Sequence, residues 1–489
     1  MAEESTDGGV TGSLGTRVRR ALAVRLGIDR RALAALRVSL GVLLLVDLLA
    51  RSRHLVAFHA DAGVLPHAVL RAQYPAFSDL SIHLLFGAAW AQAALFALAG
   101  AFALALLAGY RTRVATLGSL CLLVSLHAAN PLVLNAGDRL LRRLLFWGLF
   151  LPLGDRWSVG AVRRGADRER GRVTTLASAA LLAQVVAVYA TNAVFKLRGG
   201  EWTGGDALRY ALALDAYATP LGDVLVGFPD LLAVLGWTWL AMVVASPLLL
   251  VLTGIARALF VGAFLADHLG MLGTMSLGLF PLVSVASLLP FLPPRVWDAT
   301  ERRVVVPLGA RPRARRARER VSGALAPHTG SSDRVTRWGR RAGTALAFAG
   351  LLVLLVWNAA ALGYVDVADG DSSADLSDRR WDMFANPPTA ERWYVAEGRL
   401  ESGERVEAFR MPPGGDYTNA RWRKYAGSAS WGDASVRRHI ASYACERWNA
   451  GHESRVEAVT LRATERTTTF GGPDTVDRAE LGTYPCRPS

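Results

Sequence analysis

The chain has 489 residues, 52% of them hydrophobic, and a mean hydropathy of +0.25. That composition argues against a soluble globular protein and, with several apolar runs near the roughly 20 residues that cross a bilayer, for a polytopic membrane protein. The formal charge of +14 sits in arginine-rich loops with almost no aromatic interleaving, which speaks against a nucleic-acid partner.

In chain order, residues 1–32 form a polar, basic segment without an apolar core ahead of a cleavage site, so no secretory signal is expected and the first apolar run reads as an uncleaved anchor. Apolar segments follow at 33–50, 83–109, 112–129, 139–154, 173–195, 230–253, 256–272, 274–293 and 343–363. They are continuous rather than alternating, which predicts helices; those at 139–154 and 256–272 are short. Arginines precede the first segment and stand between the second and third, the fourth and fifth, and the eighth and ninth, the last loop containing RPRARRARER at 311–320. With nine spans every basic loop lies on one side, which places the N-terminus in the cytoplasm and residues 364–489 outside.

The expected organisation is a cytoplasmic segment at 1–32, a transmembrane domain at 33–293, a basic cytoplasmic linker at 294–342, a last transmembrane helix at 343–363 and an extracytoplasmic domain at 364–489. The expected fold class is an all-α polytopic membrane bundle of about nine transmembrane helices with a small C-terminal α+β domain. In that domain, alternation over 392–411 with a break at Glu-Ser-Gly predicts a hairpin, 434–451 has helical spacing, and 454–470 reads as a strand. Cys445 and Cys486 both fall there; an outward location allows a disulfide, but the sequence does not fix it.

Polar residues in or beside apolar segments are costly and mark candidate sites. Asn135, Asp138 and Arg139 stand at the start of the fourth segment; Asn192 and Lys196 close the fifth, with Trp202 and Tyr210 after it; Asp267 and His268 close the seventh. The predicted topology brings all of these to one face. Each also has a plainer reading: Lys196 snorkelling to the interface, Asn192 bridging two helices, Asp267 and His268 satisfying each other. Lys196 is the sharpest case. Of 55 basic residues only Lys196 and Lys424 are lysines. Arginine keeps its charge, whereas a desolvated lysine can act as a base towards a phenol or hydroquinone. No metal-ligand spacing, P-loop, HExxH, GxSxG or CxxC pattern occurs, so no metal is expected.

At these residues the sequence resembles the HTTM family, the membrane domain related to vitamin K-dependent γ-carboxylase. The resemblance rests on DAGVLPHAVL (61–70), NPLVLNAGDRLLRRLLFWGLFLPLGDRWSV (130–159), YATNAVFKLRGGEWTGGDALRYAL (189–212), ATPLGD (218–223) and HLGMLGTMSLGLFPLVSVASLLPFLP (268–293), and covers roughly residues 15–300. It implies a membrane enzyme in which a lysine deprotonates a reduced quinone, oxygen then reacts with it, and the strong base so formed drives carboxylation of a peptide glutamate. Lys196 matches that lysine, with His268 and Asp138 as further catalytic candidates and Asn135, Arg139, Asn192, Trp202, Tyr210 and Asp267 lining the site. Reduced menaquinone or another vitamin K-type hydroquinone is the implied cofactor; membrane lipid, lipid quinone and a secreted peptide or protein are the implied partners. Two departures stand out: Asp138 lies where the carboxylase has a histidine, and 364–489 is much shorter than the lumenal region of that enzyme. The alternative is a non-catalytic quinone- or lipid-binding protein, or an anchor for the C-terminal domain.

Overall fold

The structure, a computed structural model, describes residues 8–164, 171–310, 342–353, 383–411, 420–428, 431–470 and 472–486, with single positions at 312, 316 and 356. Helix α1 (Gly8–Leu26) leads to the two-residue strand β1 (Ile28–Asp29), which pairs antiparallel with β2 (Arg172–Val173). The Asp29 side chain accepts from Arg31 N and so caps α2 (Arg30–Ser52). Then come α3 (Ala89–Ala108), α4 (Thr112–Ala129) and α5 (Ala136–Leu149). Gly109 ends α3 at φ +70°, where a Cβ would strike Ser158 and the Arg37 guanidinium. Beyond β2 lie α6 (Leu176–Arg198), α7 (Pro229–Val244), α8 (Gly254–Thr274) and α9 (Phe280–Leu288).

Five helices, α2, α3, α4, α6 and α8, are long and apolar enough to cross a membrane. The count reaches seven if two bent pairs each make one span: Pro220–Val226 with α7, bent by 108°, and Phe280–Phe291 with Pro294–Val305, bent by 111°. Nine spans are therefore not found among the described residues, and proline accounts for much of the difference. The run at 139–154 stops as the 14-residue α5, ahead of Pro152. The run at 230–253 breaks after Val244, ahead of Pro247, and that at 274–293 is cut into short turns around Pro290 and Pro293. The segment expected to be short at 256–272 is instead the full 21-residue α8. Of the segment at 343–363, the apolar helix Ala342–Val353 is described and most of the rest lies outside the described residues, as does nearly all of the basic stretch 311–341.

Much of this apolar surface faces outward. Trp90 and Leu104 on α3 and Ile255 and Leu259 on α8 are exposed. Such a surface needs lipid as its solvent, so the chain is a membrane protein. Inward, one core gathers Leu36 and Leu40 of α2, Leu144 and Leu145 of α5 and Leu181 and Leu182 of α6.

The C-terminal domain is α+β, as expected. Its antiparallel sheet has the order β4-β3-β5-β6, with β3 at Ala390–Leu400, β4 at Arg405–Met411, β5 at Val456–Thr467 and β6 at Thr475–Pro485. Helices α10 (Ala420–Ser428) and α11 (Ala434–Gly451) pack on it. The hairpin β3–β4, the helix α11 and the strand β5 match the sequence pattern; α10 and β6 add to it. Cys445 of α11 is disulfide-bonded to Cys486. The domain does not stand apart from the bundle. A second core joins Trp422, Tyr425 and Ile440 to Phe58, Val64, Leu70 and Val133.

Candidate functional site

Helix α6 begins with a reciprocal cap between Thr175 and Ser178 and runs 23 residues before Gly199. Four-residue spacing places Asn192 and Lys196 on the same face. Lys196 is 2% exposed. Its Nζ donates to the Met383 carbonyl at 3.2 Å and the Phe384 carbonyl at 2.9 Å, and lies 3.4 Å from the centroid of the Trp202 ring. Trp202 Nε1 donates to the same Phe384 oxygen at 2.6 Å, and Asn192 Nδ2 donates to the Met383 oxygen at 3.1 Å. Three donors from the bundle thus converge on two successive carbonyls of one strap, residues 383–388, which runs directly into β3.

The strap is held in an unfavourable shape. Phe384 sits at φ +49°, a region that bulky residues avoid at a cost of about 1–3 kcal/mol. Its ring meets Tyr217 edge-on at 5.2 Å. Two carbonyls and one π-face offer the Lys196 amine three acceptors, which is the number an ammonium can use. No carboxylate lies within ion-pair distance of it among the described residues.

Asp267 and His268 lie on α8. Asp267 Oδ2 is buried with no hydrogen-bond partner among the described residues. His268 Nδ1 is 2.8 Å from the Phe264 carbonyl, so it carries the hydrogen; Nε2 then accepts from the Tyr189 hydroxyl at 3.4 Å. Phe264, Trp239 and Phe280 enclose this pair. Tyr189 escapes the sequence reading, although it stands seven residues before Lys196 on the same helical face.

Asp138 belongs to a different cluster. It forms a capping box with Asn135 at the start of α5, with bonds of 2.8 and 3.1 Å. Its Oδ1 also accepts from Arg51 at 2.7 Å and Arg421 at 3.2 Å. Asp47 accepts from Arg51 at 2.8 Å and Arg421 at 2.5 Å, and His127 Nε2 is 3.2 Å from Arg51. Burial opposes the Arg421 charge, but Asp138 and Asp47 outweigh it and hold that guanidinium above its ordinary pKa. Asp138 is a structural counter-ion here rather than a partner of Lys196. The ligand atoms of Asp47, His127 and Asp138 lie within 4.8 Å of one another, a spacing a metal could use. Arg51 and Arg421 already balance both carboxylates, however, and a divalent ion would have to displace them. The pair Asp47 and Arg51, four residues apart at the end of the first apolar run, was the sequence signal for this cluster.

A cavity of about 500 Å³ lies against the strap. Asn135 capping α5, Arg139 within it, Met383 and Phe384 from the strap, and Arg423 and Lys424 from α10 line it. Tyr210 goes elsewhere, packing on Phe470 of the C-terminal domain at 4.5 Å between ring centroids. The structure therefore joins Lys196, Asn192 and Trp202 directly, keeps Asp267 and His268 alongside, and separates Asp138 and Tyr210 from them. No family model, curated protein or solved structure matches the chain.

Proposed function

We propose that the protein is a membrane enzyme of the γ-carboxylase type in which Lys196 takes a proton from a reduced lipid quinone. The observation that carries this reading is a lysine amine sealed beneath the strap among aromatic and backbone groups, without a carboxylate in ion-pair range among the described residues. The aromatic surroundings, Trp202 beside the amine and Trp239, Phe264 and Phe280 around His268, suit a flat hydroquinone ring. When bound, the quinol supplies the oxygen-dependent redox chemistry. The protein's residues hold and move protons. Lys196 serves as base once the strap carbonyls withdraw, and Asn192 and Trp202 position it. His268, fixed by the Phe264 carbonyl, orients the Tyr189 hydroxyl. Carboxylation of a peptide glutamate is the further step that the family resemblance suggests.

One observation favours a second reading. The same contacts anchor the C-terminal chain to the bundle, so Lys196 could serve attachment alone. Purified protein incubated with reduced menaquinone and oxygen, with quinone epoxide followed by mass spectrometry, separates the two. Lys196→Arg keeps donors for the strap but not a base. Catalysis predicts a loss of about 100-fold or more in epoxide for both Lys196→Arg and Lys196→Ala. Equal product from wild type and Lys196→Arg, or none from wild type, would leave the anchor reading.

A further inference from the structure

We infer that β6 pairs edge to edge with β6 of a second copy of this chain, joining the two C-terminal sheets across a two-fold axis at Ala479. The sheet order leaves β6 hydrogen-bonded along one side alone among the described residues, so its other side presents a row of backbone N–H and C=O groups. Residues 475–480 are the open half of the strand. All six are exposed, those pointing to either face included. This half also runs in unbroken register with β5, from Thr475 opposite Thr467 to Glu480 opposite Arg462. The devices that usually blunt an edge lie outside it: the register shift falls beyond Glu480, and the proline of the strand is Pro485.

Charge selects the partner and the register. A two-fold axis normal to the sheet has to place one residue opposite its own copy, because hydrogen-bonded and non-hydrogen-bonded pairs alternate along antiparallel strands. Centred on Asp477, Arg478 or Glu480, the pairing sets like charges face to face, and centred on Thr475 or Val476 it runs off the start of the strand. Centred on Ala479, it sets Arg478 opposite Glu480 of the second copy, twice, with two small side chains at the axis. Within one chain Arg478 stands opposite Thr464 and has no ion pair among the described residues. Glu480 reaches Arg462 at 3.9 Å, and Arg462 reaches Glu397 at 2.9 Å. The second copy's Arg478 extends that alternating row by one base. Trp422 of α10 meets Phe409 of β4 and Phe58 of the bundle, so helices lie between sheet and bundle. An axis normal to the sheet therefore keeps both bundles on one side of the joined sheet, as two copies in one bilayer require. Such pairing uses up both β6 edges and closes at two copies.

The test uses the full chain in native membranes. Ala479→Cys puts two thiols at the axis and should cross-link to a species of twice the chain mass under mild copper-phenanthroline oxidation. Thr475→Cys, opposite residue 483 in this register, should not cross-link to itself. In the Ala479→Cys background, Arg478→Glu and Glu480→Arg each set two like-charge pairs across the axis, and each should lower the yield about tenfold. Exchanging both, Arg478→Glu with Glu480→Arg, restores opposite charges and should restore the yield. All four positions are exposed, so an unchanged thermal midpoint shows that each variant folds. Absence of the Ala479→Cys cross-link overturns the proposal and leaves the edge to another polypeptide. Equal cross-linking at Thr475→Cys, single reversals without effect, or a double exchange that stays uncross-linked overturns the register on which it rests. A ladder of higher species in place of a dimer also overturns it, since β6 against β4 would not close.

Discussion

Single residues here are set by what burial does to charge. Lys196 resolves the cost of a buried amine with backbone oxygens and a ring instead of a carboxylate. Glu391 at the edge of β3 shows the opposite balance. Burial raises its carboxyl above the ordinary range although Arg466 donates to it at 2.9 Å. The sign follows from linkage: a raised folded pKa means that the folded state holds the proton more tightly than the unfolded chain. This contribution to stability is full below the ordinary glutamate range and declines as pH rises through the raised one. Glu391→Gln mimics the protonated acid. It should melt with wild type in acid and above wild type at neutral pH; a gap of the same size at both pH values would show that ionisation is not the cause.

Among the elements, α10 ties the C-terminal domain to the bundle through buried charge. Arg421 reaches Asp47 on α2 and Asp138 on α5, completing a buried set of two carboxylates and two guanidiniums. Breaking a buried pair on one side typically costs about 3–5 kcal/mol because the remaining charge is stranded. Arg421→Met should therefore lower the thermal midpoint sharply. Pairing it with Asp47→Asn, which restores charge balance, should recover part of the loss; no recovery in the double variant would mean that packing dominates. The limits of sequence reading are visible in these same parts. The spans α2, α3, α4 and α6 and the helix α11 were legible because apolar runs and caps are local. The breaks at Pro247 and Pro290 were underweighted, since mean hydropathy does not register a missing N–H. Lys196, Asn192 and Trp202 were legible as neighbours along one helix end. Their common partner, the strap nearly 190 residues away, was not, because main-chain carbonyls carry no side-chain signature. The ion pairs of Asp138 were hidden for a related reason: its partner Arg421 comes from a domain whose docking no local pattern records.

At the scale of the whole molecule, arginine distribution and the cysteine pair bear on the same question. A structural disulfide persists in oxidising compartments, so the Cys445–Cys486 bond predicts an outward-facing C-terminal domain. A cysteine placed at the exposed hairpin turn, Glu404→Cys, should react with a membrane-impermeant maleimide on intact cells. Labelling only in inverted vesicles would reverse the orientation. The strap gives this docked domain a further consequence. Pro388 lies two residues before β3, so the carbonyls over Lys196 end a short, nearly inextensible tether from the sheet. A slide of the sheet by about 1 Å already stretches such bonds past their useful range. The seat of the sheet on the bundle and the burial of the amine are thus tied through the same two carbonyls.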